Sequence, residues 1–173
     1  MVEQVSYQLI NKINDIEIRC YPELIVVSTV NESDNRSFGI LFDYISGNNT
    51  SRKQIPMTSP VISSERIPMT SPVITKDNYM AFSLPNEYTI DTAPKPNDPS
   101  VSLEKIPKRT LAVLRFGGRI SPPRFEKYSK LLKNELQENG IEISRDVFLL
   151  RYNSPFTPGF LRRNEVAIEI KEY

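Results

Sequence analysis

The octapeptide Ile-Pro-Met-Thr-Ser-Pro-Val-Ile occurs twice, at 55–62 and 67–74, and it restricts the fold more than any other feature of the chain. Two prolines per copy exclude a regular helix through either one, because an interior proline removes an N–H and clashes with the preceding turn. Side chains alternate along a strand, so Ile55, Met57, Ser59 and Val61 share one face, as do Ile67, Met69, Ser71 and Val73. Pro56, Pro60, Pro68 and Pro72 occupy the other parity and remove donors from a single edge. Each copy is therefore expected as a strand paired on one side only. If the copies pair with each other across Ser63–Arg66, odd residues must face odd residues through a loop of odd length. Met57 and Met69 then lie on one face of the ribbon, where they either fill a core or line a ligand cleft.

The rest of the chain reads as two similar halves in one domain, 1–173. A helix is expected over about 35–46, capped by Ser33 or Asp34, with Phe38, Leu41, Phe42 and Ile45 on one face. Ile40 and Tyr44 widen that apolar surface beyond what one core contact needs. A second helix over about 122–139 starts at Ser121-Pro122-Pro123 and stops at Gly140. Strand patterns flank each helix: 16–20, 24–30 and 80–84 around the first, 101–106, 110–116, 147–152 and 166–170 around the second. The half-repeats run over about 5–91 and 100–173, joined by a proline-rich connector, 92–99, which reads as exposed and unable to continue a sheet. Two βαββ halves give an α+β antiparallel domain with a cleft where they meet.

Composition removes whole classes of function. The net charge is +1, so no basic field favours nucleic acid. No apolar run approaches the about 18 residues of a membrane span. The polar N-terminus shows no secretory leader, and a single cysteine, Cys20, suits a reducing cytoplasm; a cytoplasmic monomer is the expectation. There is no histidine, which removes imidazole catalysis, His-activated nucleophiles and histidine metal ligands together. Binding is favoured over catalysis, with carboxylate-driven hydrolysis the remaining enzymatic form.

Several motifs together resemble the SOUL or haem-binding-protein family, in its bacterial and archaeal branch. They are EIRCYPELIVV, FGILFDYISGNN, the IPMTSPVI pair, AFSLPNEY, PKPNDPSV, LAVLRFGG, RYNSPFTP and FLRRNEVAIEI, in this order. The resemblance implies a distorted antiparallel β-barrel of two tandem βαββ halves flanked by two helices. It also implies haem or another tetrapyrrole bound in an apolar cleft beside the first helix, with basic residues near the propionates. Candidate binding residues are Phe38, Leu41, Phe42 and Ile45 from the helix, Met57 and Met69 from the repeat, and Lys53 and Arg66 as carboxylate partners. Any haem iron must use Met, Cys, Tyr, Lys or no protein ligand. The architecture also resembles the small-molecule domain of multidrug-responsive regulators. That likeness makes Glu165, in Arg162-Arg163-Asn164-Glu165, either a carboxylate for a cationic or amphipathic ligand or half of a structural Arg–Glu pair.

Overall fold

The computed structural model describes residues 2–53, 63–154 and 156–173. Along the chain lie β1 (Gln8–Ile13), β2 (Ile16–Tyr21), β3 (Leu24–Val30), α1 (Asp34–Ile45), β4 (Val73–Lys76) and β5 (Tyr79–Ser83). They are followed by β6 (Ser102–Ile106), β7 (Arg109–Gly117), α2 (Pro122–Glu138), β8 (Phe148–Arg151) and β9 (Arg163–Glu169). Packing divides these into two compact units. The first holds Met1–Gln4, Leu24–Ser71 and Asp77–Ile106; the second holds Val5–Glu23, Pro72–Lys76 and Pro107–Tyr173.

In the first unit β3 runs antiparallel between β6 and β5, with Val27 opposite Leu103 on one side and Phe82 on the other. The β-branched run of β3 is buried from Leu24 through Thr29, as a strand covered on both faces must be. Helix α1 lies against β3 and β5. It is capped by Ser33, whose hydroxyl accepts the Arg36 N–H at 3.3 Å. It ends where Gly47 takes φ +124°, a left-handed backbone that L side chains resist.

The second unit is an antiparallel sheet in the order β4-β8-β9-β7-β2-β1, with α2 over β7 and β9. Its core joins Leu132 and Leu136 of α2 to Ile16, Ile18, Ala112, Leu114, Phe116, Val166 and Ile168. These strand residues are all even-numbered, so alternation leaves the odd residues on the opposite face of the sheet.

Both units are α+β, with antiparallel strands and one α-helix each among the described residues, as the fold class expected from the sequence requires. The helices fall within a residue of their expected bounds. Strand β1 is not apparent from the sequence, because Gln-Leu-Ile-Asn-Lys-Ile does not alternate apolar with polar and every residue but Ile13 is exposed; it is an edge strand closed onto β2 by a turn at Asn14, φ 52°. The connector at 92–99 is less exposed than its prolines suggest. Lys95–Pro96 pair with Asn49–Thr50, and the Pro94 carbonyl is buried where it accepts the Tyr44 hydroxyl at 2.6 Å.

The compact units do not coincide with the sequence halves. β3 of the first half takes β6 as its outer neighbour, and β7 of the second half takes β2, so the second half lends β6 to the unit of α1 while the first half lends β1, β2 and β4 to the unit of α2. The first copy of the octapeptide, with Met57 and the odd-facing-odd pairing of the copies, lies outside the described residues. The second copy is parted at Pro72: Thr70–Ser71 pair in parallel with Glu3–Gln4, and Val73–Ile74 open β4 against β8. Its described partners are thus other strands.

Candidate functional site

Of the four α1 residues with helical spacing, two are spent on the core. Leu41 is fully buried and Ile45 nearly so, together with Tyr44 from the widened face. Phe38 is half-buried, its ring edge-on to buried Phe82 at 5.3 Å and 62°. Phe42 is 46% exposed and lies nearly parallel to Phe38, at 6.0 Å and 14°. The surplus apolar surface seen in the sequence is therefore a pair of stacked phenyl rings on the outer side of α1.

The last turn of α1 is tied to a polar frame by Asn49, itself 2% exposed. Its amide donates to the Tyr44 carbonyl at 2.7 Å and to the Glu65 carbonyl at 2.8 Å, and accepts the Glu65 N–H at 2.9 Å. The Ile67 N–H donates to the Ile45 carbonyl at 2.7 Å, and Ser51 N–H to the Ser63 carbonyl at 2.8 Å. Segments 49–51 and 63–67 are thereby stitched to the helix end.

This frame presents the Glu65 carboxylate to Ser51 Oγ, to Lys53 Nζ at 3.3 Å and to the Tyr88 hydroxyl at 3.1 Å. Burial alone would raise the Glu65 pKa, but these three donors outweigh it and hold the carboxyl below its ordinary value. The same contact, added to burial, pushes the Tyr88 phenol up to about 12. Beside it opens a pocket of about 340 Å³ lined by Arg52, Lys53, Glu87, Tyr88, Asp91 and Thr92. Arg52 Nη1 holds the far wall through the Ile90 and Asp91 carbonyls, at 3.2 and 3.4 Å. Lys53 keeps its side chain 70% exposed despite the ion pair. The Arg52 guanidinium is thus held by backbone carbonyls and the Lys53 ammonium by Glu65.

From the second octapeptide, Ile67 is buried, Met69 half-buried and Arg66 exposed; the Thr70 hydroxyl donates to the Ser83 carbonyl. Phe38, Phe42, Lys53, Arg66 and Met69 belong to the same unit, as do Leu41 and Ile45 beneath them.

Glu165 belongs to the second unit, on the sheet face opposite α2, and is 0% exposed. Arg19 grips it with two bonds, 2.8 and 3.0 Å, Tyr152 donates its hydroxyl at 2.6 Å and Arg163 adds contacts of 2.6 and 3.2 Å. Arg19 also meets Glu17 at 2.7 Å and lies 4.2 Å above the Tyr7 ring, while Arg163 lies 4.1 Å above Tyr152. Two carboxylates and two guanidiniums balance. Burial works to raise the Glu165 pKa, yet Arg19, Tyr152 and Arg163 together hold it below the ordinary value, while burial and then the Glu165 charge push Tyr152 upward. Glu165 thus carries its own cations.

Sequence reasoning misses Glu65, Asn49, Arg52, Tyr88 and Arg19. Arg19 was within reach, since Glu17, Arg19 and Tyr21 alternate with Ile16, Ile18 and Cys20 and so mark a polar sheet face. The frame around Glu65 joins segments too far apart in sequence for spacing to reveal.

A porphyrin asks for an apolar face and cations for its carboxylates. The Phe38–Phe42 pair and Arg52 with Lys53 fit those two demands, whereas the chain has no imidazole for an iron. No curated protein matches the chain in sequence. Solved structures share its fold: a hydrolase from Listeria innocua (10% identity, 94% of each chain covered, TM-score 0.59) and the EcmrR C-terminal domain (13% identity, 96% of this chain and 99% of that one, TM-score 0.57). At such identity they speak for the fold alone. The model of the SOUL heme-binding protein family, however, matches residues 2–169, the stretch that carries α1, α2, β1 through β9 and the doubled octapeptide, and this chain belongs to that family.

Proposed function

We propose that the first unit binds a tetrapyrrole, haem or a metal-free porphyrin, through apolar contact and carboxylate pairing rather than through an imidazole–iron bond. The observation that carries this reading is the Asn49 frame, which ties the segments bearing Arg52, Lys53 and Glu65 to the last turn of the helix that displays Phe38 and Phe42. The phenyl pair receives the macrocycle face, and Arg52 and Lys53 receive its carboxylates by charge-assisted hydrogen bonds. Met69 and Arg66 extend the same unit toward the ligand edge. Tyr88 and Glu65 hold Lys53 in place.

A cationic ligand at Glu165 is the weaker reading, because Arg19 and Arg163 already meet that charge. The test is parallel titration with haemin, metal-free protoporphyrin and a cationic dye, followed by absorbance and fluorescence quenching. Protoporphyrin should bind within about tenfold of haemin, or ~1.4 kcal/mol, since both offer the same apolar face. Haemin binding about a thousandfold tighter would mean strong axial ligation and defeat the reading; Cys20→Ala and Met69→Leu would then locate the ligand.

A further inference from the structure

The connection between β8 and β9 carries the two most exposed large apolar side chains among the described residues, with a third beside them. Phe156 is 94% exposed, Phe160 83% and Leu161 62%, all within six positions. They are not loosely strung. Thr157 N–H donates to the Ser154 carbonyl at 3.0 Å, a 3-10 turn covers Gly159–Leu161, and the Arg162 Nε donates to the Thr157 carbonyl at 2.7 Å. The turn projects its large side chains because its own backbone is satisfied internally.

A second loop is fastened beside it. Gly118 N–H donates to the Arg162 carbonyl at 3.2 Å, the Asn164 amide donates to the Gly118 carbonyl at 2.8 Å, and a Cβ placed on Gly159 would stand 3.5 Å from the Arg119 Cβ. Together the segments 117–124 and 156–162 carry Arg119, Arg124 and Arg162 and no aspartate or glutamate, Arg163 beyond them being paired with Glu165. In a chain of net charge +1, this pair of loops is a local basic field around protruding phenyl rings.

We propose that this paired loop docks on an anionic membrane surface, with Phe156 and Phe160 entering the headgroup boundary and the surrounding arginines meeting lipid phosphates. Large exposed apolar groups rimmed by arginine suit an interface that is apolar inside and negative outside. A protein partner is the poorer fit, since a stable protein interface covers about 800 Å² per side and two separate rings on a turn offer a point contact instead. No spanning helix is needed, and none of the residues assigned to the tetrapyrrole site takes part.

The test is flotation of the full chain with vesicles of phosphatidylcholine alone and with phosphatidylglycerol added. Binding is expected only to the anionic vesicles, and raising the salt should weaken it. Phe156→Ser with Phe160→Ser should lower partitioning about tenfold or more, and Arg119→Ser about fivefold, with unchanged thermal midpoints because these side chains are exposed. Failure to float with either vesicle, or undiminished flotation of the double-serine variant, overturns the proposal. If vesicles stay bare while the double-serine change dissolves self-association of the chain, the surface is a protein contact and the membrane proposal is equally wrong.

Discussion

The Arg19 guanidinium meets the Glu165 carboxylate through two parallel N–H···O bonds of 2.8 and 3.0 Å, with neither side chain more than 3% exposed. Such a pair gains little over an apolar replacement of both partners, but losing one partner leaves a buried charge exposed to its desolvation cost. Arg19→Met should therefore destabilise the chain by about 3 kcal/mol in urea unfolding. Lys130→Ala, which breaks the surface pair with Glu126 at 71% and 67% exposure, should cost under about 0.5 kcal/mol. Equal losses would mean that the buried network is structurally idle.

Acid should unfold the chain through its two engaged carboxyls. Glu165 and Glu65 are both held below the ordinary value, by Arg19, Tyr152 and Arg163 in one case and by Ser51, Lys53 and Tyr88 in the other. Their stabilisation is complete above the unfolded pKa of about 4.3 and is lost as pH falls through the folded values. Urea midpoints should be level from about pH 7 to about pH 5 and drop below about pH 4. A steady decline beginning near neutrality would contradict this.

At the alkaline end the sign reverses. Burial and Glu65 push the Tyr88 phenol up to about 12, and burial beside Glu165 raises Tyr152 as well. Their contribution is whole below the unfolded tyrosine pKa of about 10 and is lost as pH rises through the folded values. Phenolate absorbance should show Tyr88 and Tyr152 ionising late, together with loss of structure. A single step near the ordinary value for both would refute the assignment.

Adjacent residues on α1 separate core from ligand surface. Leu41→Ala empties fully buried space and should cost about 2–5 kcal/mol of stability. Phe42→Ala, at 46% exposure, should cost less than about 1 kcal/mol yet weaken porphyrin quenching several-fold. If porphyrin affinity is indifferent to Phe42, the stacked pair is not the platform.

Carboxylate pairing has its own signature. Arg52→Ala with Lys53→Ala should weaken protoporphyrin by about tenfold while leaving its dimethyl ester unaffected, because the ester offers no anion to lose. Parallel losses for acid and ester would indicate a general collapse of the pocket.

What the sequence reveals here is set by range. Helix α1 is written in neighbouring residues, Ser33 at its cap and Phe38, Leu41, Phe42 and Ile45 three and four apart, so local spacing suffices. The same spacing cannot say that Leu41 and Ile45 turn inward while Phe42 turns outward, which depends on where β3 and β5 lie. Glu165 is visible as a charge at the start of a strand, but its partner Arg19 stands 146 positions away. In the second copy the octapeptide prolines exclude helix correctly, yet the break at Pro72 comes from competing partners, Glu3–Gln4 before it and β8 after it.

The exchange of strands has a consequence for synthesis on the ribosome. Strand β2 leaves the exit tunnel early and has β1 to pair with, but Ile18 finds its second neighbour only when Ala112 has been made. The last strand, β9, then inserts between β8 and β7 rather than adding at an edge. The second unit therefore stays incomplete until residue 169 has emerged, and a nascent chain must carry β2 and β7 unsealed for much of its translation. Chains stalled or clipped ahead of β9 expose two bare strand edges at once, the kind of surface that chaperones and proteases recognise.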